Sequence, residues 1–182
     1  PLRNKQKKSE KRKEQLKSLL SQHSYQYISH WNPDMQIAID TLLEQVKIDL
    51  IQIEFSQMGY YQLPKDSPTV LDEHNVEYEL LERSYEASPL SIRKVYNYLE
   101  WKKFKQDEVN NCNKFSLCLT TSERDKEILA RAASKTQFAV IPNGVDSEFF
   151  TPPKTLQRDA DTILFTGTIN YYPNTDGLAW FL

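Results

Sequence analysis

Thr69-Val-Leu-Asp-Glu-His-Asn-Val-Glu-Tyr-Glu-Leu-Leu-Glu-Arg83 decides the fold. It reads as a short apolar strand, a polar turn with one histidine among carboxylates and an amide, and then a helix. A strand that delivers His74 to the start of a helix places an imidazole at the carboxyl edge of a parallel sheet, where open α/β folds bind their ligands. Asp72, Glu73 and Asn75 flank the histidine and are all able to orient its ring. A lone histidine can equally be structural or merely exposed.

The same alternation extends to both sides. Upstream, Asn32 or Asp34 can cap a helix carrying Met35, Ile37, Ala38, Leu42, Leu43 and Val46, and 47–55 follows as a buried strand ending near Glu54. A carboxylate there can bind a ligand hydroxyl, cap a neighbouring helix or point to water. Downstream, 77–112 is helical with a break at Ser88-Pro89, and Phe115-Ser-Leu-Cys-Leu-Thr120 is a strand. Thr121-Ser-Glu-Arg-Asp125 has the form of a capping box, with Ser122 as cap and Asp125 in place of the usual Glu or Gln. Ser122 could also reach a substrate. Phe138-Ala-Val-Ile141 is the next strand, followed by Pro142-Asn-Gly-Val-Asp146, a tight turn in which Gly144 can take positive φ. The expected fold is α/β, with a Rossmann-like, doubly wound parallel sheet.

Residues 151–161 have the composition of a linker, and Thr162-Ile-Leu-Phe-Thr-Gly167 reads as a fresh strand. The expected organisation is a first domain over 1–150, a linker over 151–161 and the opening of a second domain over 162–182. Pro1 in place of a methionine and an apolar run that has barely begun at Leu182 read as the ends of a fragment.

Composition removes several classes. With 39% hydrophobic and 26% charged residues and a net charge of −2, the chain is that of a soluble globular protein, with no global pull toward nucleic acid. Cys112 and Cys118 lack metal-ligand partners, so a disulfide framework is not expected and a reduced, cytoplasmic setting is the simpler reading. No HxxxH, HxH or cysteine accompanies His74, which argues against a metal site, and no GxSxG or catalytic-cysteine context is present. No stretch approaches the roughly 20 apolar residues of a membrane span. Arg3 to Lys17 carries eight Lys/Arg against Glu10 and Glu14. That run could meet anionic headgroups at the inner face of a membrane, but a solvated helical face explains it as well. No aromatic interleaves it, which weakens nucleic-acid binding.

In this order and spacing, Val70-Leu-Asp-Glu-His-Asn-Val-Glu77, Thr121-Ser-Glu-Arg-Asp125, Val140-Ile-Pro-Asn-Gly-Val-Asp-Ser-Glu-Phe-Phe150 and Leu164-Phe-Thr-Gly-Thr-Ile-Asn-Tyr-Tyr-Pro-Asn174 resemble a family 4 (group 1) glycosyltransferase. The nearest flavour is the bacterial sugar transferases of exopolysaccharide-type clusters. The resemblance runs from about Gln15 onward. It implies the two-domain GT-B architecture, here truncated, with the acceptor on the N-terminal domain and a nucleotide-sugar donor mainly on the C-terminal one. It further implies transfer with retention to a saccharide or lipid-linked acceptor, without cofactor or bound metal.

On this resemblance His74 matches the histidine that contacts the transferring sugar, while Glu54 faces acceptor hydroxyls beside Glu73, Asn75 and Ser122. Asn143, Gly144 and Asp146 shape the turn into the connection, and Gly167 with Thr168 lies where donor phosphates approach. The chain departs from the pattern at Thr168, where many members carry arginine, and lacks the early glycine-rich loop and the later glutamate motif. The chain as given is therefore expected to be inactive alone. Two other readings stay open: a nucleotide-sugar epimerase or hydrolase on the same plan, and a non-catalytic sugar-binding or interaction module.

Overall fold

The structure is a computed structural model and describes residues 8–151 and 159–182. The expected linker at 151–161 lies mostly outside the described residues, as do Arg3, Lys5 and Lys7 of the basic run. The chain divides into two compact units, Pro1–Asn143 and Gly144–Leu182.

In the first unit, helices α1 (Lys8–Leu19), α2 (Tyr25–His30) and α3 (Pro33–Gln45) precede strand β1 (Ile51–Glu54) and a single 3₁₀ turn, Ser56–Met58. Then come β2 (Thr69–Glu73), α4 (Glu77–Glu86), α5 (Ile92–Cys112), β3 (Leu117–Thr120), α6 (Glu123–Ala132) and β4 (Gln137–Val140). The strands form one parallel sheet in the order β1-β2-β3-β4. Each crossover steps one place in the same direction, and right-handed connections then put α4, α5 and α6 on one face.

The core lies on that face. Side chains alternate along β2, turning Thr69, Leu71 and Glu73 inward and leaving Val70 and Asp72 half-buried on the other side. Leu71 and its register partner Cys118 are fully buried, against Phe104 and Cys112 of α5 and Leu129 of α6. On the opposite face Gln52, Glu54, Val70, Asp72, Leu117 and Leu119 are half-buried or exposed. β1 is shorter than the expected strand over 47–55: Leu50 is exposed, and Lys47 to Leu50 form no ladder.

Helix α5 ties the N-terminal helices to the sheet through buried carboxylates. Asp107 accepts hydrogen bonds from Ser24 N and Ser24 Oγ at the start of α2, and Glu100 accepts from Tyr25 N and Ser18 Oγ. Glu108 accepts from Glu77 N at 3.0 Å and Tyr78 N at 2.8 Å, the first turn of α4. Helix N-termini leave N–H groups without intrahelical partners, and these carboxylates satisfy them.

In the second unit, Asp146 Oδ1 accepts from Glu148 N and Phe149 N, an Asx-type turn, and α7 spans Tyr172–Phe181. Two expectations are corrected here. Gly144 does not take positive φ, and residues 142–146 form no turn; the Asp146 side chain closes the turn that follows them. Residues 162–167 form no strand: a strand exists through ladder hydrogen bonds to a neighbour, and among the described residues this segment has none, leaving Ile163 and Leu164 exposed.

Candidate functional site at the carboxyl edge of the sheet

Glu54 and Asp72, the last positions of the β1–β2 ladder, are register partners, so their carboxylates leave the same face side by side. His74 follows in the turn after β2. Its Nε2 lies 2.9 Å from Glu54 Oε2 and 4.0 Å from Asp72 Oδ2. Glu54 also accepts from Gln52 Nε2 at 2.8 Å. The hydrogen bond from His74, helped by Gln52, holds the Glu54 carboxyl below the usual carboxylate range.

The turn is fixed from three sides. Phe55 N donates to Asp72 O at 3.0 Å, extending the ladder by one bond, and Thr121 Oγ1 at the end of β3 donates to His74 O at 3.1 Å. Phe55 has φ of 67°, in the left-handed region that non-glycine residues seldom occupy. Its ring lies 4.2 Å from the imidazole, centroid to centroid, tilted by 44°. Beyond the turn, Glu108 holds the first amides of α4.

Glu73 does not join this cluster. It is 1% exposed and points into the core, where Ser56 N donates to it at 3.2 Å and Cys112 Sγ lies 3.8 Å away. Strand alternation explains the correction: with Asp72 outward, Glu73 must face inward. Burial, with Glu108 nearby, pushes its carboxyl well above the ordinary value. Asn75 is exposed. Ser122 Oγ accepts from Asp125 N at 3.1 Å and is engaged in capping α6, while the Asp125 carboxylate pairs with Arg124.

Glu54, Asp72 and His74 each offer one ligand atom, all within 4.8 Å of one another. Three such groups could hold a divalent cation, but an imidazole–carboxylate hydrogen bond accounts for the same distances. Cys112 and Cys118 are buried free thiols inside the core.

Asn143 is exposed at the end of the first unit. In the second unit Gly144 stands in open space, Asp146 closes its own turn, and Thr168 O accepts from Asn174 Nδ2 at 3.0 Å. A Cβ at Gly167 would lie 2.8 Å from Phe165 Cζ and 2.9 Å from Asn174 Nδ2, so local packing already favours a small residue there.

Sequence reasoning missed Phe55, Thr121 and the outward pairing of Asp72 with Glu54. Alternation along β2 was available as a signal for Asp72. The register that sets it opposite Glu54 was not. No protein-family model, curated protein or solved structure matches the chain. Among the described residues, no helix is long and apolar enough to cross a membrane.

Proposed function

We propose that this chain is the acceptor-side α/β unit, with the beginning of the donor-side unit, of a retaining glycosyltransferase of the GT-B plan. It would move a sugar from a nucleotide-sugar donor to a saccharide or lipid-linked acceptor in polysaccharide biosynthesis, in the cytoplasm or at the inner membrane face, with no metal or cofactor. The observation that carries the reading is His74: an imidazole hydrogen-bonded to Glu54 of the neighbouring strand, on the half-exposed carboxyl edge of an all-parallel sheet. The ordered motifs around it support the same reading.

Glycosyl transfer passes through a transition state with positive charge developing on the sugar ring, and preorganised polar groups lower its energy most. An imidazole already hydrogen-bonded to a carboxylate is held in place and can face such charge without rearranging. The carboxylates of Glu54 and Asp72 add negative potential on the same side.

The test is transfer by the full-length protein from a panel of nucleotide sugars, with and without a polyprenyl-linked or oligosaccharide acceptor. The reading expects acceptor-dependent transfer that falls by about a hundredfold or more in His74→Ala. Release of free sugar or an epimer without acceptor would favour the epimerase or hydrolase alternative, and no turnover with any donor would favour a binding module.

A further inference from the structure

A cavity of about 670 Å³ opens at the amino edge of the sheet, bordered by Thr69, the first residue of β2, and Ser116, just before β3. About 13 Å of strand separates it from the carboxyl edge that holds His74. Its volume is that of a small-molecule site. Tyr27 of α2, Tyr60 and Tyr61 line it, and among the described residues Lys65 and Lys114 are the only charged groups in its walls.

Lys114 is held in place, yet its charge is unanswered. Its Nζ donates to Asn111 Oδ1 at 3.0 Å and to Gly59 O at 3.4 Å, and Asn111 is itself fixed by donating from Nδ2 to Ser56 O at 2.9 Å. Both acceptors are neutral, so one of the three N–H donors and the positive charge are left over. The surrounding protein strips enough water from the ammonium to pull it below its ordinary range, against the opposing field of Asp107. An anion in the cavity supplies what is missing, and two cations without an acid beside them in the walls suit a dianion better than a single charge.

The rings decide what else the ligand carries. Tyr27 stacks on His23 with centroids 3.8 Å apart and meets Tyr60 at the same separation, while Tyr60 and Tyr61 are only 4% and 5% exposed. Rings packed on one another in this way leave little open face on which a nucleobase could stack. Tyr27 Oη and Ser67 Oγ, by contrast, make no hydrogen bond to the described residues. A ligand rich in hydroxyls can use both.

We infer that this cavity binds a phosphorylated monosaccharide, its phosphate drawn to Lys114 and Lys65 and its hydroxyls to Tyr27 and Ser67. The site is separate from His74, and the inference goes beyond the glycosyltransferase reading without depending on it.

The experiment is isothermal titration calorimetry of the full-length protein at low ionic strength with glucose 1-phosphate, galactose 1-phosphate, mannose 1-phosphate and glucose 6-phosphate. Inorganic phosphate, UMP and glucose serve as comparisons. At least one sugar phosphate should bind with a Kd below about 1 mM, about tenfold or more tighter than inorganic phosphate or glucose. Lys114→Met should weaken it about tenfold or more and Tyr27→Phe about threefold or more, with binding unchanged in His74→Ala. Lys65→Gln, at an exposed position, should cost about threefold or more and keeps the test decisive if Lys114→Met does not fold. Binding of none of the four, or binding that ignores both lysine variants, overturns the site. Loss of binding in His74→Ala overturns its separateness, and inorganic phosphate or UMP bound as tightly through the same lysines overturns the sugar phosphate assignment.

Discussion

Replacing Glu108 by Gln should remove a pH dependence of stability that the wild-type chain carries. Glu108 is fully buried, and burial pushes its carboxyl up to about 8, with Glu77 and Glu79 adding to the rise against the two amides of Glu77 and Tyr78 that oppose it. Below about pH 4.5 the group is protonated in both states and contributes no slope. Above that the unfolded chain releases the proton while the folded chain keeps it, so the folded state binds more protons and stability falls as pH rises, up to about 8.

Raising a carboxyl from 4.5 to about 8 corresponds to on the order of 5 kcal/mol lost across that window, an upper limit for a single group. Glu73 acts in the same direction. Glu54 acts in the opposite direction, but only below its unfolded value, where falling pH removes its contribution. Urea unfolding from pH 5 to 8.5, followed by tryptophan fluorescence, measures the balance. Gln puts an NH2 group, which cannot accept, where the protonated acid keeps a hydroxyl oxygen that can, so one of the bonds from Glu77 N and Tyr78 N is lost and the variant should be less stable by about 1–3 kcal/mol at pH 5. It should match or exceed the wild type near pH 8. Wild-type stability that is flat or rising over this range, or a variant with the wild-type slope, would refute the account of Glu108 as a buried acid held protonated.

Three further outcomes are expected. Leu71→Ala, at a position 0% exposed between β3 and α5, should cost about 2–5 kcal/mol in urea unfolding, and a loss below about 1 kcal/mol would mean the sheet does not pack on α5 as described. Ser122→Ala should cost about 1 kcal/mol through loss of the α6 cap, with transfer by the full-length protein unchanged; a selective loss of transfer would restore Ser122 as a substrate contact. Transfer should persist after treatment with EDTA, because a hydrogen bond between His74 and Glu54 accounts for their separation without a cation; loss with EDTA and recovery with Mg²⁺ or Mn²⁺ would make Glu54, Asp72 and His74 a metal site.

Much of the fold was legible because it depends on local order. The strand–turn–helix around His74, the Asn32 cap of α3, the Ser122 cap of α6 and the break at Ser88-Pro89 all follow from residues near one another in sequence. What failed depended on partners. Residues 162–167 have strand composition but no described neighbour to pair with, and β1 keeps only the residues that meet β2. Glu108 was invisible because its role as the cap of α4 comes from a helix 30 residues away, where a carboxylate in a basic stretch looks like one more solvated charge.

The site shows the same division at the scale of single atoms. Sequence places His74 at a strand end with acidic neighbours, but Asp72 and Glu73 differ only in the parity of their positions, and parity sends one to the open face and the other into the core. Glu54 comes from a different strand and meets Asp72 only through the parallel register, so no spacing rule in the sequence could have paired them. Register also separates two otherwise similar roles for an acidic residue at this edge. A carboxylate projecting alone would be free to bind a substrate hydroxyl. One set beside a second carboxylate and a histidine is drawn to the imidazole, since the Nε2–H bond relieves the repulsion between the two acids.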